Sequence, residues 1–217
     1  MLTNHLISPE IFERYPDYSV ALIQVRGIQG GVSNDQSEAL LKEAESATRE
    51  LLSETDLDEV EEVKAWIVDD PDPKTAAHLQ ALLDAGDEAA LKPLFNGFLQ
   101  FGTAGLRGPI GAGPSCMNRA VVGRAAAGIA AYMKKRGMKS VVIGRDARYG
   151  SEDYTFESAE ILSGAGMDVY ILPRPLPTPV LAFATAHLKC DVGIMVTASH
   201  NPPQDNGYKV YIGPSAD

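Results

Sequence analysis

The most regular hydrophobic patterning lies in the second half of the chain, where short apolar runs alternate with longer stretches of helical period. Asn118 precedes residues 119–136, whose apolar positions recur at intervals of three and four, and Gly137 follows, so the segment reads as a helix with a side-chain cap at one end and a stop at the other. Residues 140–143 (SVVI) form a short apolar run of strand length. The alternation then repeats: Ser151 caps a helix running to about Gly164, residues 168–172 form a second strand, 179–187 a third helix, and 192–196 another apolar strand. Helices of this length between short strands predict an α/β domain on a mainly parallel sheet flanked by helices, because parallel neighbours need a long crossover. In open sheets of this kind ligands bind outside the carboxyl ends of the strands, which directs attention to the loops after Ile143 and Val196.

Upstream the pattern changes. Leu57, Val60, Val63 and Ile67 recur at helical spacing while Asp58, Glu59, Glu61 and Glu62 occupy the other side, a solvated face. Asp72 reads as an N-cap with Pro73 in the first helical position, and Leu79, Leu82 and Leu83 supply an apolar stripe before Gly86. Residues 55–97 therefore read as an acidic helical extension in front of the α/β domain at 98–217. In the first 54 residues, 19–26 (SVALIQVR) is a candidate strand closed by the glycines of GIQGG, and 34–52 looks helical, with Leu40, Leu41, Ala44 and Ala47 toward one face. That is too little apolar surface for a core of its own.

With 217 residues and 45% apolar composition the chain can bury one substantial core. No stretch approaches the roughly 18 uninterrupted apolar residues of a membrane helix, and the N-terminus, with His5, Glu10, Glu13 and Asp17, lacks a basic region followed by an apolar one. Secretion and membrane insertion are not expected. Cys116 and Cys190, without CxxC spacing, read as reduced buried thiols, and a cytoplasmic location is the default. The net charge of −10 conceals a division: residues 1–97 hold 20 acidic and 7 basic side chains, residues 98–217 hold 9 and 12. Anion handling belongs to the second part. Nucleic acid is not an expected partner, since the single basic run, Lys134, Lys135 and Arg136, reads as a solvated helix end. Oligomeric state is left open.

After Val196 the chain reads TASHNPPQDNGYK, residues 197–209. A serine at a strand end, exposed by the turn that Asn201, Pro202 and Pro203 enforce, is placed as a nucleophile or phosphoryl carrier, with His200 beside it and Lys209 brought back by the next short strand. Phosphoryl transfer needs an accepting oxygen, clustered positive charge and accurate placement. The competing interpretation is a turn built by local hydrogen bonds of Ser199 and Asn201. A Ser-His-Asp hydrolase is disfavoured, because no GxSxG elbow occurs in the chain and adjacent side chains on an extended loop point apart. Two further segments fit an anion. In FGTAGLRG, residues 101–108, glycines surround Arg107, whose guanidinium can grip phosphate with paired hydrogen bonds, although a glycine-rich stretch is often only a loop. In GRDAR, residues 144–148, Arg145 is a cleft residue or the partner of Asp146 in a structural salt bridge.

FGTAGLRG, GRDAR and TASHNPPQDNGYKVY together resemble the alpha-D-phosphohexomutase superfamily, which includes phosphoglucomutases, phosphomannomutases and phosphopentomutase-like enzymes; the likeness covers about residues 55–213, including the acidic helices. The resemblance implies the first domain of such an enzyme, an isomerase that moves phosphate within a hexose or pentose phosphate through a phosphoserine and a sugar bisphosphate intermediate. It further implies Ser199 as the phosphoserine and a Mg²⁺ ligand, His200 and Arg107 as phosphate-stabilising neighbours, Lys209 as general acid or base, and Arg145 as a cleft residue. A glucose 1,6-bisphosphate-type activator and a sugar phosphate substrate follow from the same likeness. No DGDGDR-like metal loop, GEXSG-like sugar loop or RxSGTEP-like phosphate loop is found in the sequence, so these residues alone are expected to be inactive as a complete mutase. The rival expectation is a non-catalytic fragment acting at most as a phosphosugar-binding or interaction module. Residues 1–54, with PEIFERYPDYSVALIQVRG, faintly resemble the editing-type domain of the phenylalanyl-tRNA synthetase beta chain; an ordinary N-terminal extension is the other possibility.

Overall fold

The computed structural model describes residues 59–103 and 105–213. The strand expected at 19–26, the helix expected at 34–52 and the synthetase-like segment at 1–54 lie outside the described residues. The chain divides into two compact units, Met1–Glu62 and Val63–Asp217. The second unit holds both the sheet and the helices that follow Val63.

Helix α1 is Glu59–Asp69, α2 Pro73–Asp84 and α3 Glu88–Leu91. Asp72 caps α2 as its pattern predicts, its carboxylate accepting from the Lys74 amide at 2.9 Å, with Pro73 at the first position where no amide is needed. From the α1 stripe Val63 is buried and Ile67 half-buried, and Trp66, outside the stripe as read, is buried as well. The Arg124 guanidinium lies 4.3 Å from the centroid of the Trp66 ring, and Arg119 donates to the Pro71 carbonyl at 3.1 Å. These contacts tie the acidic helices to the helix that follows the first strands.

The sheet has six strands: β1 Phe101–Gly102, β2 Gly105–Pro109, β3 Ser140–Arg145, β4 Asp168–Ile171, β5 Val192–Val196 and β6 Asp205–Ile212, ordered β1-β2-β6-β5-β3-β4. Between them lie α4 Arg119–Lys135, α5 Ser151–Gly164 and α6 Thr178–His187. The three strands read from alternation with helices, β4, β3 and β5, pair in parallel as expected. The other half departs from the mainly parallel expectation: β6 is antiparallel to β5, β2 to β6 and β1 to β2, so the whole is a mixed sheet. The reason is local. A connection of eight residues, 197–204, joins β5 to β6, too short for a crossover helix, so the chain can only turn back. FGTAGLRG, expected as a glycine-rich loop, is likewise a hairpin in which Phe101 pairs Leu106 and Gly102 pairs Gly105.

Alternation of side chains along the strands fixes the layers. Val142 of β3 and Met195 of β5 pack on Leu181 and Ala184 of α6, with Leu172 and Tyr211 beside them. The alternate positions Val141, Ile143 and Ile194 face the other way, and all are fully buried. On that side Tyr208 of β6 is also fully buried and donates its hydroxyl to Ser158 Oγ of α5 at 2.8 Å. Burial pushes the Tyr208 phenol well above its ordinary range, so it remains a donor at any physiological pH. Cys116 and Cys190 are free and buried, and burial raises both thiols. Among the described residues, no helix is long and apolar enough to cross a membrane.

Asn118 caps α4, with its side-chain oxygen accepting from the Val121 amide at 2.9 Å and its amide donating to the Gly111 and Gly113 carbonyls. Helix α5 starts differently from the expectation. Ser151 is its first helical residue, not its cap; the cap position is Gly150, at φ 74, and Ser151 Oγ donates to Asp146 at 2.8 Å.

Candidate active site

Three loops meet at one end of the sheet. Strands β3 and β5 both run toward it, β6 starts there, and the pairing of Pro109 with Asp205 brings the end of β2 to the same place. Ser199 lies three residues beyond β5, exposed, with φ 59 in the left-handed region that non-glycine residues seldom adopt. Its amide donates to Thr197 Oγ1 at 3.1 Å, and the Asn201 amide closes the turn on the Ala198 carbonyl at 3.0 Å. The loop is therefore a closed turn and not the extended segment on which adjacent side chains would point apart. His200 is exposed on the same turn, directly after Ser199.

Arg107 and Lys209 come together on one face of the sheet. Lys209 pairs with Met195, and Arg107 pairs with Gly207, two residues from Lys209, so both point to the face on which Tyr211 meets α6. Helix α6 lies against β3 and β5. Gly207 makes this approach feasible: a Cβ there would sit 2.7 Å from the Leu106 and Thr197 carbonyl oxygens and 3.0 Å from Arg107 Cγ. Arg107 Nη1 reaches Asn201 Oδ1 at 3.3 Å, and Asn201 in turn donates to Asp205 Oδ2 at 2.9 Å. Arg107 Nε is buried with no hydrogen-bond partner, a donor that lacks an acceptor. The Lys209 ammonium is held below the usual lysine range, first by partial burial and then by the nearby Arg107 charge. Two cations thus share one face of the sheet, and one of them has a donor without an acceptor.

Arg145 sits elsewhere in the network. It pairs with Glu152 at 2.9 Å and not with Asp146, and its side chain is 11% exposed. Asp146 instead binds Arg148, 3.2 Å from Nε. Arg148 closes the GRDAR motif and has no role legible in the sequence, although its guanidinium reaches across to the Ser199 loop and donates to four main-chain carbonyls. Carbonyl acceptors carry no residue-type signature, so the sequence offers no signal for this contact. Asn206, fully buried, is also missed by sequence reasoning; it donates to Ser151 Oγ and to the Tyr149 carbonyl, joining the loop after β3 to β6.

A mixed six-stranded sheet with helices on both faces and its polar loops gathered at one end defines an α/β/α domain. The chain belongs to the phosphoglucomutase/phosphomannomutase family: residues 99–215 match its alpha/beta/alpha domain I. It is 54% identical over 98 residues to a probable phosphomannomutase of Haemophilus influenzae, covering 45% of this chain and 20% of that protein. To a phosphopentomutase of Mus musculus it is 37% identical over 161 residues, covering 70% of this chain and 26% of the relative. A crystal structure of a putative phosphomannomutase from Thermus thermophilus superposes with a TM-score of 0.50 at 38% identity, over 52% of this chain and 25% of that one. The chain thus spans between a fifth and about a quarter of the length of these curated relatives.

Proposed function

We propose that this domain carries the transferable phosphoryl group of a phosphosugar mutase on Ser199, for a hexose or pentose phosphate substrate. The observation that carries the reading is the exposed Ser199, held in a left-handed turn at the end of β5, beside a strand face where Arg107 and Lys209 crowd each other. A phosphoryl dianion would relieve that repulsion and give the unpartnered Arg107 Nε an acceptor. Transfer breaks the Oγ–P bond of phosphorylated Ser199 and forms a sugar O–P bond. The attacking hydroxyl gives its proton to the neutral amine of Lys209, whose lowered affinity for protons makes that form more accessible, and the departing Ser199 oxygen takes a proton from the solvent to which it is exposed. In the reverse direction the sugar bisphosphate returns a phosphoryl group to Ser199, whose hydroxyl releases its proton to solvent, and the protonated Lys209 supplies the proton to the sugar oxygen. His200, exposed beside Ser199, is the neighbour that hydrogen-bonds the phosphoryl oxygens. Arg145, engaged by Glu152, acts as a cleft wall in this reading.

In this reading a Mg²⁺ ion would be met by the oxygens of phosphorylated Ser199, its remaining ligands coming from outside these residues. Among the described residues no group of three or more His, Cys, Asp or Glu comes together, which leaves the Ser199 phosphoryl oxygens as the ligands this site could offer an ion.

Incubation of the chain with glucose 1,6-bisphosphate, followed by intact mass and peptide mapping, tests the proposal. One added phosphoryl group on the peptide containing Ser199, absent from Ser199→Ala, is the expected result. Saturable binding of the bisphosphate by calorimetry with no phosphate on Ser199 would overturn it in favour of a phosphosugar-binding module.

A further inference from the structure

The groups around the phosphate have roles in the family reading, but none of those roles explains how a non-glycine residue is kept at φ 59 on an exposed turn. We infer that Arg148 is the positioning residue for Ser199: a guanidinium that gathers the main-chain carbonyls of the turn and fixes the serine peptide in its left-handed conformation. The inference rests on Ser199 as phosphoryl carrier for its functional meaning, but not for its geometry.

An arginine has five N–H donors; here the four on the two Nη atoms have acceptors and the fifth, on Nε, lies in an ion pair. Nη1 donates to the Pro202 carbonyl at 2.6 Å and the Asp205 carbonyl at 3.0 Å. Nη2 donates to the Ser199 carbonyl at 3.1 Å and the Asn201 carbonyl at 2.8 Å. Nε pairs with Asp146 Oδ2 at 3.2 Å. The four Nη donors are taken by the loop and Nε faces the Asp146 carboxylate, so the charge of Arg148 serves the loop and not the ligand. The anchor is itself braced. Asp146 Oδ1 accepts from the Arg148 amide at 3.0 Å and from Ser151 Oγ at 2.8 Å, and the Asp146 amide is tied to the Val196 carbonyl at 3.1 Å. The guanidinium is therefore fixed to the ends of β3 and β5 together, and the turn hangs from it by four bonds. One of the four is on Ser199 itself, so the plane of the peptide after the serine is set by Arg148. Lysine cannot replace this, because an ammonium has three donors and no planar fork.

The test uses the 217-residue chain and its Arg148→Lys and Arg148→Ala variants. Hydrogen exchange by mass spectrometry follows the amides of Ser199, Asn201 and Asp205, which are hydrogen-bonded within the turn. Both variants are expected to exchange there about tenfold faster or more, with the helices α4 to α6 unchanged. Phosphate uptake at Ser199 from glucose 1,6-bisphosphate is expected to slow by about tenfold or more, and in Arg148→Ala to recover on addition of methylguanidinium but not methylammonium. Unchanged exchange, loosening that spreads through α4 to α6, or equal recovery with methylammonium would each overturn the inference. If the unsubstituted chain takes up no phosphate, the assignment of Ser199 fails, while the exchange comparison still decides the role of Arg148.

Discussion

Gly207 offers the sharpest physical test of how the site is held together. Adding one methyl group there, in Gly207→Ala, would place a carbon 2.7 Å from two carbonyl oxygens, those of Leu106 and Thr197, and 3.0 Å from Arg107 Cγ. A carbon normally approaches a carbonyl oxygen to about 3.3 Å, so each must retreat by about 0.6 Å. Neither can do so alone: Leu106 is in the β2–β6 ladder, and Thr197 donates its amide to the Gly207 carbonyl at 2.9 Å. Overpacking of this kind costs about 1 to 3 kcal/mol, and obstruction by main chain on two sides places Gly207→Ala near about 3 kcal/mol. A second glycine supplies the internal control. Gly137 has φ 70, but a Cβ there meets nothing within 4 Å, so Gly137→Ala carries conformational strain alone, about 1 kcal/mol. Urea unfolding followed by far-UV circular dichroism measures both. In thermal scans the expected losses are about 6 to 12 °C for Gly207→Ala and about 2 to 4 °C for Gly137→Ala. A Gly207→Ala variant no less stable than Gly137→Ala would refute the claim that the β2–β6–Thr197 contact requires a missing side chain.

Four further outcomes follow from the structure. Ser199→Ala should leave the thermal midpoint within about 2 °C of the parent, because an exposed substitution of this type is worth about 0.5 kcal/mol or less; a larger drop in a thermal scan would mark the serine as structural. In Arg107→Gln the Lys209 titration, read by NMR of carbon-13-labelled lysine, should move upward but stay below a free lysine, since burial, the larger cause, remains; an unchanged midpoint would mean the two cations do not interact. Because the folded pKa of Lys209 lies below the unfolded one, the unfolded chain holds more protons between them, and stability rises with pH across that interval; Lys209→Met should abolish this rise in alkaline urea titrations. Asn118→Ala removes a helix cap, strands the Gly111 carbonyl and takes from the Gly113 carbonyl the shorter of its two donors, for an expected loss of about 3 kcal/mol in urea unfolding.

What could be read from sequence followed the range of the interactions concerned. Strand β5 was legible to the residue, because all five positions of Val192–Val196 are buried and an apolar run of that length between turns has few other uses. Helix α4 was legible at its ends, where Asn118 caps it and Gly137 takes a positive φ just beyond it. The hairpin inside FGTAGLRG was not, since three glycines in eight residues erase the alternation by which a strand is recognised. The capping role expected of Ser151 failed for a different reason. Its hydroxyl was free to choose, and the Asp146 carboxylate, five residues upstream, was the stronger acceptor. The Arg145–Asp146 pair, one of the two uses expected for Arg145, is absent, because Arg145 pairs with Glu152 on the first turn of α5 and Asp146 with Arg148. Ser199, Arg107 and Lys209 could be singled out because their residue types suit an anion, and the strand register places Arg107 and Lys209 on one face of the sheet. Arg148 was passed over because its work is done on main chain more than fifty residues away.

The two outer strands of the sheet are its shortest: β1 has two residues and β4 four. An open rim of unpaired amides and carbonyls invites any stray extended peptide to dock and elongate the ladder. Here such a visitor would find a foothold a few residues long, with the charged Asp168 at the start of β4 and the chain leaving the rim soon after. Brevity at the margins therefore discourages runaway growth of the sheet, and lengthening either rim strand in an engineered version would be the quickest way to turn a discrete molecule into a fibre.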